Sequence, residues 1–159
     1  MSQLLDELRI LIEDVGSTDF TDAELKKYLN RYRGYLDEYG LTAENDDYLV
    51  WWCKYKYLDN RILDSAINTP IAEADYTADD INGMYTFAVA VDFVYIRANF
   101  FDLYQTASDM WMIRAAQAKH SGPVKLGDET IPQDKYNKEY CIGKYWDFRQ
   151  STVSQSTRI

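Results

Sequence analysis

Residues 20–29 read Phe-Thr-Asp-Ala-Glu-Leu-Lys-Lys-Tyr-Leu and hold the clearest secondary-structure signal in the chain. Thr21 and Glu24 have the spacing of a capping box, in which the threonine hydroxyl accepts from the Glu24 backbone and the glutamate reaches back. Apolar residues then recur at helical spacing, and Gly40 is a suitable residue just after a last helical turn. The sequence therefore predicts a helix that starts after Thr21 and ends near Gly40.

Three further helices are predicted around this one. Residues 2–14 repeat leucine and isoleucine at helical spacing. Residues 46–66 form a third helix that is apolar on almost every side over 48–58, which predicts burial on every side. The longest helical pattern runs over 81–119. We expect an all-α fold, a small helical bundle of about four to five helices with a long C-terminal helix.

The character of the sequence changes near residue 120. A break at residues 121–123 is followed by residues 124–132, which alternate apolar and polar side chains around Gly-Asp. This pattern indicates a hairpin or an extended arm. We therefore expect a helical body over 1–119 and an extended C-terminal arm over 120–159 that is partly disordered when unbound.

Charge and cysteine content exclude several classes of protein. The chain has 26 acidic and 17 basic residues, a formal charge of -9, of which residues 1–118 carry -11 and residues 119–159 carry +2. Such an acidic body argues against a dedicated nucleic-acid clamp. Cys53 and Cys141 are far apart and read as reduced thiols of a cytosolic protein. The most apolar stretch, 84–104, carries three charges, so no membrane association is predicted.

No motif for catalysis or metal binding is present in the sequence. The single histidine, His120, lies beside Gly and Pro with no nucleophile context, and no phosphate-binding or hydrolase motif occurs. One histidine with two distant cysteines argues against a zinc site. We expect no enzyme activity, no cofactor and no metal.

Two sets of residues are candidates for contact with other molecules. Trp51, Trp52 and Tyr55 lie on the predicted third helix, where adjacent side chains diverge by about 100°, so one tryptophan can enter the core and the other needs a second dry surface. We read them as a subunit interface; the alternative is nucleic-acid contact through 51–57, which acidic residues flank. An acidic stripe on the long predicted helix reads as a solvated face or as the lining of a channel, and its carboxylates are Asp92, Asp102 and Asp109.

Residues 4–14, Leu-Leu-Asp-Glu-Leu-Arg-Ile-Leu-Ile-Glu-Asp, followed by residues 20–29, resemble the opening of a known family. The head–tail connector proteins of long-tailed bacteriophages, also called adaptor or head-completion proteins, often begin with an "LR.LI.D" helix and then an "FTD.EL..YL" helix. The motif-bearing part of the resemblance covers residues 4–29. The remainder matches in helix order and tail character.

The resemblance implies a structural protein of the virion neck, present in the host cytoplasm during assembly. Members form a homo-oligomeric ring, commonly of twelve subunits, beneath the portal, where they extend the channel and contact the next neck or tail-completion protein. Double-stranded DNA passes through without specific binding, and Asp92, Asp102 and Asp109 would face it. The C-terminal arm would bind the portal, with anchors at Tyr145, Trp146, Phe148 and Arg149. The alternative is a small helical protein–protein interaction or regulatory module that works as a monomer or dimer.

Overall fold

The protein folds into two compact units, each described here by itself. The computed structural model describes residues 1–16, 19–118, 125–126, 129–130 and 138–156. The strand unit comprises Met1–Leu4 and Tyr32–Phe101, and the helical unit comprises Leu5–Arg31 with the described residues from Asp102 onward. The expected all-α fold is wrong, because antiparallel sheets occupy most of the strand unit.

Four α-helices are present in the described part of the chain. They are α1 (Ser2–Leu11), α2 (Asp22–Leu29), α3 (Leu103–Gln117) and α4 (Lys138–Ser156). Short 3-10 turns cover Asn30–Tyr32 and Glu73–Asp75. The predicted capping box is confirmed, with Thr21 as the residue before α2 and both reciprocal bonds present. The helix ends at Leu29 instead of continuing to Gly40, because the chain enters a strand at Arg33.

Eight strands of the strand unit form two four-stranded antiparallel sheets. The first has the order β1-β8-β4-β5 and the second the order β2-β3-β7-β6. The strands are β1 (Arg33–Gly40), β2 (Thr42–Ala43), β3 (Val50–Trp52), β4 (Leu58–Ala66), β5 (Thr69–Pro70), β6 (Tyr76–Asp79), β7 (Met84–Phe87) and β8 (Tyr95–Phe101).

Residues predicted to be two long helices therefore lie largely in strands. The range 46–66 contains β3 and β4, and the range 81–119 becomes helical only at α3. In β8, buried Ile96 and Ala98 alternate with more exposed residues, which is the period of a half-buried strand. Both sheets contribute to one core, which includes Leu36, Leu58, Leu63, Ile96 and Ala98 from the first sheet and Trp51, Tyr85 and Phe87 from the second.

The extended arm predicted over 120–159 is wrong over residues 138–156. Residues 138–156 form α4, which packs on α3 through Trp111, Ala115 and Cys141. The hairpin signal is confirmed at its pairing residues, because β9 (Lys125–Leu126) and β10 (Glu129–Thr130) pair antiparallel. His120, the break at 121–123 and the rest of the hairpin stretch lie outside the described residues.

Gly34 lies opposite Phe100 across β1 and β8 and leaves room for the phenyl ring. A Cβ at this position would lie 2.1 Å from the ring, closer than any normal contact. We expect Gly34→Ala to lower the free energy of unfolding by about 1–3 kcal/mol through overpacking, as measured by urea denaturation. Gly40→Ala is the control on the same strand, because its nearest neighbour is 4.0 Å away. Equal losses for both variants would contradict this packing.

Candidate functional site

The two halves of the motif that carries the resemblance meet at the guanidinium of Arg9 in the helical unit. Arg9 Nη1 lies 2.7 Å from Asp14 Oδ2, and Arg9 Nη2 lies 2.6 Å from Asp22 Oδ1. Both terminal nitrogens also donate to the carbonyl oxygen of Phe20 at 3.1 Å. One side chain of α1 thus binds the acidic end of its own segment and the Phe-Thr-Asp start of α2.

Asp14 completes this corner from the other side. Its side chain has no exposed surface, and it accepts backbone N–H bonds from Asp19 at 2.9 Å and Phe20 at 3.2 Å. A buried carboxylate needs a cation and several donors to offset its lost hydration. Arg9 and these backbone groups supply both, so Asp14 is tied to Asp19 and Phe20, which precede α2.

A second arginine, on α3, holds the same segment. Arg114 donates from Nη1 to the carbonyl of Ile12, and its Nη2 lies 2.6 Å from Asp19 Oδ2. Its guanidinium also lies over the rings of Phe20 and Trp111. We call Arg9, Asp14, Asp19, Asp22 and Arg114 the arginine corner. The sequence interpretation used the pattern around Arg9 but did not single out Arg114, because a lone arginine in an apolar helix carries no signal of its distant partner.

The capping box adjoins the arginine corner, and its hydrogen bonds affect the pKa of the Glu24 carboxyl. Glu24 Oε2 accepts from the backbone N–H of Thr21 and from its hydroxyl, each at 2.8 Å. These hydrogen bonds, the backbone one first, lower the pKa of Glu24. A carboxyl whose pKa is lower in the folded state stabilises that state above its unfolded pKa and loses this contribution as the pH falls through the folded pKa.

We therefore expect the charge of Glu24 to stabilise the folded chain at neutral pH and to lose this effect as the pH falls. Glu24→Gln keeps a side chain able to close a capping box but removes the charge. Wild type should be more stable than Glu24→Gln at pH 7, and the difference should shrink at about pH 3, below the ordinary pKa of a glutamate. Urea denaturation at both pH values measures it. The same difference at both pH values would contradict the role assigned to the charge.

The four residues predicted to anchor the portal divide into two faces of α4. Tyr145 and Phe148 pack toward the cluster of Trp111 and Ala115 on α3. Trp146 is 54% exposed, and Arg149 is also exposed. Only Trp146 and Arg149 are therefore placed to contact another molecule without rearrangement of the helical unit. Their role stays a prediction.

The three residues predicted for a subunit interface are separated by the alternation of a strand. Trp51 is buried and donates from Nε1 to the carbonyl of Tyr48 at 3.1 Å, whereas Trp52 points to the other face and is 37% exposed. Tyr55 is half-buried, with its ring 4.5 Å from that of Phe100. Because the Trp51 ring is inside the core, it adds nothing to base stacking by 51–57, and the interface role now depends on Trp52.

The acidic stripe does not lie on one helix, so that part of the prediction is wrong. Asp92 is exposed in the strand unit, before β8. Asp102 is the residue before α3, where its side chain accepts from the backbone N–H of Gln105 at 2.8 Å. Asp109 is half-buried within α3. A helix-capping role accounts for Asp102, and a channel-facing role stays a prediction for all three.

Two ion pairs of the strand unit, one with a buried carboxylate and one half-buried, were missed by the sequence interpretation. Asp64 is fully buried and accepts from Arg97 at 2.8 and 3.0 Å. Arg61 Nε lies 3.0 Å from Asp80 Oδ1, which also accepts from the hydroxyl of Tyr85 at 3.1 Å. Burial raises the pKa of Asp80 and that of Tyr85. Each carboxylate faces a cation, which offsets burial and points to a structural role.

Within the described ranges no group of three or more histidine, cysteine or carboxylate side chains is arranged to hold a metal ion. No helix among the residues that the structure places is long and apolar enough to cross a bilayer. Cys53 and Cys141 are buried and not disulfide-bonded.

Comparisons with known proteins leave the family open. No protein-family model matches the sequence, and a search of curated proteins finds no significant match.

Proposed function

We propose that this chain is a structural head–tail adaptor of a bacteriophage, which forms a ring beneath the portal and links the capsid to the neck. The observation that carries the proposal is the arginine corner. Every polar side chain that distinguishes the motif from a plain capped helix, Arg9, Asp14 and Asp22, is bound in one network. In this chain the residues that carry the resemblance thus form one network in addition to a helix cap, and this supports the proposal.

The helical unit is the part of the chain that we assign to the portal. It contains all of the motif-bearing range except Leu4, and α4 offers an outward face with a large aromatic and a cation, Trp146 and Arg149. Exposed tryptophan and arginine side chains are the residue types that contribute most to binding at protein interfaces. The portal contact is thus assigned to a helix face, in place of the extended arm expected from the sequence.

The acidic surface fits passage of DNA without capture. The chain carries a formal charge of -9, and Asp92 is the one predicted channel residue whose carboxylate is exposed on a loop. A negative surface repels phosphates and gives no counterion release on contact. Asp92→Lys is therefore the substitution that tests a channel role, because Lys at 102 would also remove a helix cap.

The test mixes purified wild-type chain with portal rings encoded by the same genome and separates them by gradient sedimentation. We expect the chain to move with the portal, and Arg149→Glu to weaken the association. Arg31→Glu is the matched control, because Arg31 is an exposed arginine that stacks on Tyr28 of α2. A wild-type chain that stays at the top of the gradient would contradict the adaptor function and favour an interaction module of another kind.

Truncation after residue 119 is a poor test of the same idea. It would remove α4 and expose Trp111 and Ala115, which α4 buries. Loss of binding by such a truncated chain would report a damaged helical unit. Point substitutions on the exposed face of α4 avoid this problem.

A further inference from the structure

One face of α4 carries a large side chain, a gap and two opposite charges in a regular order. Glu139, Gly143, Trp146 and Arg149 are all exposed. At about 100° per residue they fall within an arc of roughly 120°. Of the residues that pack on α3, Cys141, Tyr145 and Phe148 lie elsewhere on the circumference, and half-buried Ile142 falls on the Arg149 side of this arc.

Gly143 is unexplained by the packing of the helical unit. Glycine inside a helix costs about 1 kcal/mol relative to alanine. A Cβ built at this position would meet nothing within 4 Å, so the site is an open notch on the helix surface. Space on that surface is useful when a bulky group of another molecule enters it.

Trp146 has the complementary shape. It lies one helical turn after Gly143, is 54% exposed, and has its ring in edge contact with Tyr145 at 5.0 Å. A tryptophan held in place on one side and open on the other loses little side-chain freedom when a second surface covers it. Gly143 and Trp146 thus form a notch and a protruding side chain, one helical turn apart on the same face of α4.

We infer that α4 pairs antiparallel with α4 of a second copy of this chain, with Trp146 of each copy over Gly143 of the other. An antiparallel pair centred between these two positions also brings Glu139 beside Arg149 of the second copy, at both ends of the contact. This face of α4 is therefore complementary in size and in charge to the same face of a second copy that runs in the opposite direction, as a two-fold interface requires.

The interface is small, and this sets the concentration at which it forms. A standard stable interface buries about 800 Å² of each partner, which is more than one helix face provides, and two chains of charge -9 repel each other. We expect a weak dimer of the free chain, with a Kd in the micromolar range.

The proposed pairing of α4 with a second copy does not depend on the adaptor function. A portal that contacts Trp146 and Arg149 would compete with the second copy for this face.

Sedimentation equilibrium of the chain alone, at about 100 μM and physiological salt, tests the pairing. Wild type should give an average mass approaching twice the 18.6 kDa of the chain. Trp146→Ala should weaken association about tenfold or more, as expected for a central tryptophan. Gly143→Leu fills the notch with a better helix former, so it should be monomeric with an unchanged or raised melting temperature. Met112→Ala, at an exposed methionine of α3, should remain dimeric.

Charge reversal tests the geometry of the pair. Glu139→Lys and Arg149→Glu should each weaken the dimer, because each places like charges at both ends of the contact. The double variant should restore association. A wild-type chain that is monomeric at 100 μM, a dimer that tolerates Gly143→Leu, or a double variant no better than the single ones would overturn the inference. None of these outcomes bears on co-sedimentation with the portal, so the two proposals fail separately.

Discussion

Arg9→Met should lower the free energy of unfolding of the helical unit by about 3–5 kcal/mol, the cost of removing one partner of a buried ion pair. The substitution leaves the fully buried carboxylate of Asp14 without its cation and the carbonyl of Phe20 without two donors. Methionine fills a similar volume, so the loss reports the polar network more than a cavity. Urea denaturation followed by far-ultraviolet circular dichroism measures the change.

Arg31→Met is the matched control for this variant. Arg31 is an exposed arginine of the same unit, with its guanidinium over the ring of Tyr28. An exposed contact of this kind contributes up to about 1 kcal/mol. Adding Asp14→Asn to Arg9→Met should recover part of the loss, because the unpaired buried charge is removed. Equal effects of Arg9→Met and Arg31→Met would contradict the arginine corner.

Trp111→Ala should cost about 3–5 kcal/mol, as for other large buried aromatic side chains. Trp111 is fully buried between α3 and α4 with Ala115 and Cys141, and its Nε1 donates to the carbonyl of Leu11 at 3.2 Å. Its loss leaves a cavity and an unsatisfied carbonyl at the end of α1. Thermal and urea denaturation of the whole chain report the loss.

Trp146→Ala is the control within the same pair of helices. It removes an equal side chain from the exposed face of α4, where Trp146 is 54% exposed and Trp111 has no exposed surface. We expect its free energy of unfolding to change by about 0.5 kcal/mol or less under monomeric conditions. If Trp146→Ala proved as destabilising as Trp111→Ala, the orientation of α4 on α3 would be wrong.

Local signals predicted the start of α2 because the bonds that specify it span only four residues. The capping box depends on Thr21 and Glu24 alone, and both bonds are present. The end of this helix was not predicted correctly, because the helical spacing of apolar residues continues toward Gly40 while the chain from Arg33 onward pairs as a strand. Residues from Arg33 pair with β8, more than fifty positions later, and that partner is not visible in the local pattern.

The strands were missed because the prediction relied on how many residues in a stretch are apolar more than on the spacing at which the apolar residues recur. In β8 the order Tyr-Ile-Arg-Ala-Asn-Phe alternates inward and outward residues, and β7 alternates in the same way at Tyr85 and Phe87. Alternation of this kind predicts a half-buried strand. Around Trp51 the apolar residues run together, and a short apolar run does not distinguish a strand from a buried helix.

The candidate site was predicted only in part, for a related reason. The sequence named Trp146 and Arg149, which the structure leaves exposed on α4. It did not name Arg114, whose partners Ile12 and Asp19 lie about a hundred residues away. The notch at Gly143 also needed the structure, because a glycine within a helix has meaning only when the space beside it is known.

Cryo-electron microscopy of the portal ring mixed with this chain tests the adaptor function most directly. The adaptor function predicts a closed ring of copies on one face of the portal, continuing its channel, with the outward face of α4 at the portal contact. Portal rings without added density, or with isolated copies that do not surround the channel, would contradict it.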